Sequence, residues 1–128
     1  MKKLIFIVCL ITSPFITKSQ SPTADEISQL IKSGDSKELS KFFNTTIELN
    51  FNDERKNYPK TQAELVLKNF FQKYPPIEFE YKHQGTSSEG LRYFIGSYKS
   101  KDAVFVTLIR MKPINGKYFI HKIEFTRE

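Results

Sequence analysis

The sequence predicts an α+β fold in which short helices precede an antiparallel sheet. In the first half of the chain, apolar residues recur every three or four positions behind sequences that cap helices. From residue 77 onward, apolar and polar residues alternate in segments separated by short polar turns. Because short connections join antiparallel strands, this second half should form a meander.

Three helices are predicted from capping signals. The segments 23–26 and 35–38 each place a Thr or Asp three residues before a Glu, which is the arrangement of a capping box. Gly34 should end the first helix, because glycine readily adopts the left-handed conformation found there. A third capping box at 61–64 predicts a longer helix, which Pro75 should end.

The strands are predicted from period-two alternation. Residues 45–51 should form the first strand, with Glu48 on the side that faces water. The polar segment 52–60 should be a loop with a short edge strand. The four strands of the meander are expected at Ile77–His83, Leu91–Lys99, Ala103–Lys112 and Lys117–Thr126.

The first nineteen residues have the layout of a secretory signal peptide. Lys2 and Lys3 precede an apolar run at 4–16, and small residues follow up to Ser19. The run is shorter than the roughly 20 apolar residues of a transmembrane helix. We therefore expect residues 20–128 to form a single exported domain, periplasmic or extracellular, that meets the membrane only through the signal peptide during export.

Charge and cysteine content exclude several classes of protein. The formal charge is +6, and loss of the three lysines of the signal peptide lowers it to +3. Acids and bases are interleaved, unlike the clustered basic face of nucleic-acid-binding proteins, so no nucleic acid partner is predicted. Cys9 lies inside the signal peptide without the small neighbours of a lipoprotein site, which predicts neither a disulfide nor a lipid anchor.

The order of elements resembles that of the nuclear transport factor 2-like superfamily, which includes ketosteroid isomerases, scytalone dehydratase and SnoaL-type polyketide cyclases. The most similar segments are 39–49, a helix running into the first strand, and the helix at 65–71. The chain looks most like small exported bacterial members grouped as a domain of unknown function. The resemblance implies a strongly curved antiparallel sheet that wraps a helix and leaves a conical pocket.

Catalytic residues of that superfamily do not carry over. Ketosteroid isomerases resemble one another in a tyrosine on an early helix, an aspartate base after the first strands and a second acid in the late sheet. The first two predicted helices here contain no tyrosine, and the late strands contain no aspartate. With two histidines, no cysteine after Cys9 and no ligand spacing, a metal site is not predicted either. We therefore assign no catalytic residue and no cofactor.

A polar row across the meander is the candidate site. A two-residue turn at Asn115-Gly116 would place Ile114 opposite Lys117 and Arg110 opposite His121. Counting through the turn at Lys101-Asp102 places Tyr93 opposite Arg110 and Ile95 opposite Leu108. A further assumption about the loop at 85–90 places Tyr81 opposite Tyr93. The predicted ligand-binding residues, all on the apolar face of the sheet, are Tyr81, Tyr93, Arg110 and His121.

Apolar walls with a few converging polar groups are typical of small-molecule sites, and an arginine there favours a carboxylate or phosphate. The alternative is structural: Arg110 pairs with a buried acid or carbonyl, and His121 is a satisfied core histidine.

Three functional hypotheses follow. The first is a non-catalytic module that binds a small molecule, with anions among the candidates, or an envelope protein in or around the sheet cone. The second is a lyase or isomerase that uses His121 as general base and Arg110 to stabilise an oxyanion. The third is a dimerisation or scaffold domain whose sheet is covered by a partner, including a second copy of the chain.

Overall fold

The computed structural model describes residues 21–128, so the predicted signal peptide and Gln20 lie outside the described residues. The elements are, in chain order, α1 (Ala24–Lys32), α2 (Ser36–Ser40), β1 (Phe43–Phe51), β2 (Glu54–Pro59), α3 (Lys60–Lys73), β3 (Glu78–Thr86), β4 (Arg92–Lys99), β5 (Val104–Ile114) and β6 (Lys117–Arg127). No helix of this part of the chain is long and apolar enough to cross a membrane.

The strands of residues 21–128 form one six-stranded sheet in the order β2-β1-β6-β5-β4-β3. The predicted meander of β3 to β6 is confirmed, with antiparallel pairing throughout. Strand β1 pairs in parallel with β6, and β2 pairs antiparallel with β1 at the edge. The edge strand predicted within 52–60 is therefore β2.

The first two helices begin as predicted. The backbone N–H of Glu26 donates to the Thr23 hydroxyl at 3.1 Å, and that of Glu38 donates to the Asp35 carboxylate at 3.0 Å. Gly34 follows α1 with φ of 65°, which suits the predicted helix end.

The third capping box is wrong, and the end of that helix is confirmed. Helix α3 starts at Lys60, directly after β2, and Pro59 stands at its N-cap with no side-chain cap bond. Thr61 consequently lies inside the first turn rather than before it. The helix ends at Lys73, ahead of Pro75, because proline can neither donate a helical bond nor tolerate a helical neighbour before it.

The helices pack on one side of the sheet, here called the core face, and leave the opposite outer face uncovered by any element of residues 21–128. Phe70 of α3 occupies the centre of the core face. Its ring lies 4.2 Å from that of Phe125, 5.2 Å from that of Phe105 and 5.5 Å from that of Tyr98, centroid to centroid. The space in which the resemblance implies a conical pocket is thus filled by aromatic rings.

The turn between β5 and β6 confirms part of the predicted register. Asn115 and Gly116 have φ of 51° and 79°, and Ile114 pairs with Lys117. A turn with two such residues is the preferred connection of a two-residue hairpin.

The pairings predicted between β4 and β5, Tyr93 with Arg110 and Ile95 with Leu108, are also confirmed.

The predicted pairing of Arg110 with His121 is wrong. Strand β6 contains a bulge at His121, so Arg110 pairs with Lys122. The bulge aligns buried residues, because it pairs Met111 with Ile120 and Ile109 with Ile123. Arg110, which stands between the buried Ile109 and Met111, therefore lies exposed on the outer face, opposite to the face that carries Ile123 and Phe125.

The predicted pairing of Tyr81 with Tyr93 is wrong as well. A register shift between Tyr81 and His83 pairs Tyr81 with Gly96 and gives Tyr93 the partner Gly85. Tyr81 lies on the core face, where its ring stacks on Phe94 at 5.2 Å. The polar row across the apolar face therefore does not exist as predicted, since Tyr81 and Arg110 are on opposite faces.

Candidate functional site

Arg110 and His121 meet in a pocket on the outer face, here called the outer-face pocket, with a volume of about 430 Å³. Every lining residue is polar or charged. The lining residues are Asn44, Thr46, Glu48, Asn57, Arg110, Lys112, His121 and Lys122.

The strands position these side chains. Glu48 of β1 pairs with Lys122 of β6 on one side and with Asn57 of β2 on the other, and Lys122 pairs in turn with Arg110 of β5. Residues paired across neighbouring strands present their side chains on one face. Four strands therefore contribute to a single polar surface.

Positive charge dominates the pocket. Lys122 Nζ lies 3.0 Å from Glu48 Oε2 and 3.3 Å from Glu124 Oε1, so its charge is compensated. Arg110 and Lys112 form no ion pair within residues 21–128. These two cations are therefore available to a ligand.

His121 contributes a neutral ring to this cluster. Burial lowers the pKa of His121, the cations Lys112, Arg110 and Lys122 lower it further, and only Glu48 opposes them. Its Nε2 atom is buried and has no hydrogen-bond partner in the described part of the chain. A nitrogen so placed does not face a ligand, which disfavours proton abstraction through Nε2.

The two tyrosines of the predicted row have separate positions. Tyr93 lies beside Arg110 on the outer face and lines a second depression that also contains Arg110. Tyr81 donates its hydroxyl to the carbonyl of Ala24 at 2.8 Å, and burial raises its pKa. Its hydroxyl thus holds α1 against β3. The structure brings Arg110 together with His121 on one side and with Tyr93 on the other.

Three charged residues of the pocket were absent from the predicted site. Glu48 is ion-paired and only 22% exposed rather than simply facing water, and Lys112 and Lys122 lie outside the predicted row. A signal for them exists in the sequence. Ile120 and Ile123 are three residues apart, a spacing that places both on the core face only when the strand is bulged between them.

No group of three or more His, Cys, Asp or Glu side chains within residues 21–128 is arranged to hold a metal ion. The polar side chains of the outer-face pocket are suited instead to an anion, because guanidinium and ammonium groups donate strong charge-assisted hydrogen bonds to carboxylate and phosphate oxygens.

Comparisons with known proteins agree with the observed architecture. A crystal structure from Bacteroides ovatus ATCC 8483 is 28% identical, with a TM-score of 0.78, over 85% of this chain and 97% of that one. A second from Bacteroides uniformis ATCC 8492 is 23% identical, with a TM-score of 0.78, over 84% and 98%. Both are described as DUF4783 family proteins. No curated protein matches the chain.

More distant structures share the fold alone. An NTF-2 like protein of unknown function from Burkholderia xenovorans LB400 is 15% identical, with a TM-score of 0.57, over 81% of this chain and 80% of that one. The de novo design Rd1NTF2_04 with long sheet reaches a TM-score of 0.60 at 19% identity, over 80% of this chain and 94% of that one. The predicted fold class is thus confirmed: the chain has the NTF2-like α+β fold.

The family comparison covers nearly all of the described chain. Residues 24–126, from the first residue of α1 to the penultimate residue of β6, match one family. This chain therefore belongs to the family described as Domain of unknown function (DUF4783).

Proposed function

We propose that this protein is an exported, non-catalytic module that binds a small anionic ligand in the outer-face pocket. The observation that carries the proposal is the pair of cations, Arg110 and Lys112, that line a polar pocket without forming an ion pair within residues 21–128. A carboxylate or phosphate supplies the missing counter-charge.

The arrangement supports binding rather than turnover. The histidine that the lyase or isomerase hypothesis needs has its Nε2 buried, and its lowered pKa makes it a weaker base. The aromatic rings around Phe70 fill the space in which the resemblance implies a conical pocket. The exposed polar pocket remains as the place for a ligand.

The test is calorimetric titration of the purified protein with inorganic phosphate and with succinate. Arg110→Ala should weaken the binding of both anions about tenfold or more, the loss of one charge-assisted contact. Glu48→Gln should tighten binding, because it removes the negative charge of the pocket. Raising the salt concentration should weaken anion binding by the unmodified protein and by every variant that still binds, because salt screens the charges.

Arg127→Ala is the matched control. It removes the same charge from an exposed arginine whose side chain donates to the carbonyl of Asp102 and does not line the pocket. Its affinity should equal that of the unmodified protein. The proposal is wrong if neither anion binds, or if Arg110→Ala and Arg127→Ala have the same effect.

A second candidate function, self-association, is favoured by an apolar patch on the same outer face. Val106 is 40% exposed, and Ile95 and Leu108 beside it are half-buried. A second copy of the chain would cover these side chains. Light scattering should then give the mass of a dimer, and Val106→Lys should restore a monomer; a monomer at high concentration of the unmodified protein excludes this function.

A further inference from the structure

We propose that the anionic ligand is an acidic saccharide, whose charged group binds at Arg110 and Lys112 while a sugar ring packs on Tyr93. This inference rests on the proposed function and names the class of ligand. It is carried by a second depression, the aromatic shelf, of about 370 Å³, lined by Ser87, Ser88, Glu89, Leu91, Tyr93 and Arg110. Arg110 belongs to both the outer-face pocket and the aromatic shelf.

Tyr93 forms a platform because its cross-strand partner is a glycine. The phenol end of Tyr93 lies over Gly85, so close that a Cβ there would stand 2.6 Å from the hydroxyl oxygen and 2.8 Å from Cζ. The ring thus rests on the backbone of β3 and lines the shelf beside Arg110. A glycine at residue 85 is needed for this position of the ring.

The wall of the aromatic shelf is a loop, residues 87–91, whose two ends are joined by hydrogen bonds. The backbone N–H of Leu91 donates to the Ser87 hydroxyl at 3.1 Å, and that of Ser87 donates to the carbonyl of Leu91 at 2.7 Å. The Tyr118 hydroxyl donates to the carbonyl of Gly90 at 2.9 Å. These bonds fix the backbone of the loop that carries Ser88 and Glu89 before any ligand arrives, which lowers the entropy lost on binding.

The combined surface is too long for a single phosphate or a small dicarboxylate. It runs from Asn57 on β2 across β1, β6 and β5 to Tyr93 on β4. Four strand spacings amount to about 19 Å. A ligand that fills this length has more than one ring.

Along this surface the side chains change from cations to an aromatic ring flanked by hydroxyl and carboxylate groups. An acidic saccharide offers a matching carboxylate and sugar ring. The carboxylate of a uronic acid pairs with Arg110 and Lys112. The C–H face of a pyranose packs on the ring of Tyr93, and its hydroxyls find both donors and acceptors in Ser88 and Glu89. A purely aromatic or aliphatic ligand would leave these hydroxyl and carboxylate groups without partners, at a desolvation cost.

The experiment is calorimetric titration with trigalacturonic acid, maltotriose and inorganic phosphate. Trigalacturonic acid should bind at least about tenfold more tightly than phosphate, since it adds contacts on the aromatic shelf. Maltotriose, which has the rings without the charge, should bind at least about tenfold more weakly than trigalacturonic acid.

Variants separate the shelf from the anion site. Tyr93→Leu should weaken the binding of trigalacturonic acid about tenfold and leave the binding of phosphate unchanged. Tyr93→Phe should retain both affinities because it keeps the ring. Gly85→Ala should act like Tyr93→Leu, because the added Cβ displaces the phenol ring. Circular dichroism of each variant checks that the sheet is intact, and the comparison of Tyr93→Leu with Tyr93→Phe supplies the readout if Gly85→Ala does not fold.

The outcomes distinguish this inference from the proposed function. If phosphate binds and depends on Arg110 but trigalacturonic acid binds no more tightly, or if Tyr93→Leu changes nothing, the saccharide inference is wrong and the anion site stands. Equal binding of maltotriose also overturns the inference. If no anion binds, both the inference and the proposed function are wrong.

Discussion

A single extra residue in β6 determines which β6 side chain lies beside Arg110. In an unbulged hairpin, Arg110 would pair with His121. The bulge at His121 shifts the pairing to Lys122, whereas Lys112 lies beside Arg110 because the two residues are two positions apart on β5. Arg110 itself is on the outer face because it stands between the buried Ile109 and Met111 in β5, and this alternation avoids the cost of burying its guanidinium.

The environment of His121 predicts a pH-dependent stability. Its pKa in the folded protein is lowered below the ordinary value of 6.5 by burial and by Lys112, Arg110 and Lys122, with Glu48 opposing. Between the folded pKa and 6.5 the unfolded chain binds more protons, so stability is fully present above pH 6.5 and declines as the pH falls below it. Urea denaturation at pH 7.5 and at lower pH should show this loss.

His121→Gln is the control for that prediction, since glutamine is polar, similar in size and does not titrate. Its free energy of unfolding should fall less than that of the unmodified protein over the same pH interval. Equal pH dependence in the two proteins would show that the imidazole does not titrate as its surroundings indicate.

At the scale of elements, the β5–β6 hairpin sets the register of the strands that carry the site. Its turn residues Asn115 and Gly116 both have positive φ, and the pairing of Ile114 with Lys117 continues without interruption to Met111. From the bulge onward, the pairing is set by apolar contacts on the core face, where Ile109 meets Ile123.

Gly116→Ala should destabilise the protein by about 1–2 kcal/mol, because a Cβ is unfavourable in the left-handed conformation that residue 116 adopts. No atom outside its chain neighbours lies within 4 Å of a Cβ added there, so the effect is one of backbone conformation. Thermal or urea denaturation measures it.

Asn115→Gly tests whether the first turn residue contributes through its backbone conformation or through its side chain. Glycine adopts positive φ freely, so this variant should change stability by only a few tenths of a kcal/mol. A loss equal to that of Gly116→Ala would mean that the Asn115 side chain, rather than the backbone conformation, stabilises the turn.

At the scale of the whole molecule, the core and the candidate site lie on opposite faces of one sheet. The core face is filled by aromatic rings around Phe70, and the polar pocket lies on the outer face. A core variant should therefore change stability, whereas a pocket variant should mainly change binding.

Phe70→Ala should cost about 3–5 kcal/mol, because it leaves a cavity where one ring contacts several others. Leu65→Ala is the matched control on the same helix: its side chain is 56% exposed, and the change should stay within about 0.5 kcal/mol. Urea denaturation compares the two. A loss for Phe70→Ala no larger than that for Leu65→Ala would show that the aromatic cluster does not stabilise the fold.

Local signals in the sequence determined the elements and their order. Capping residues at Thr23 and Asp35, alternation in the strands and the Asn115-Gly116 turn act within a few residues, so their effects can be read without the rest of the chain. The curvature of the sheet was predicted from the family resemblance. The pairing of Tyr93 with Arg110 followed from a second short turn in the same way.

Only the tertiary structure decided which residues share a face. The shifts at Lys82 and His121 arise because buried partners on neighbouring strands must meet, and this requirement depends on residues far apart in the chain. They place Tyr81 on the core face and bring Lys122, together with Glu48, beside Arg110 on the outer one. Because side chains alternate with period two, one inserted residue is enough to move every later side chain of a strand to the opposite face.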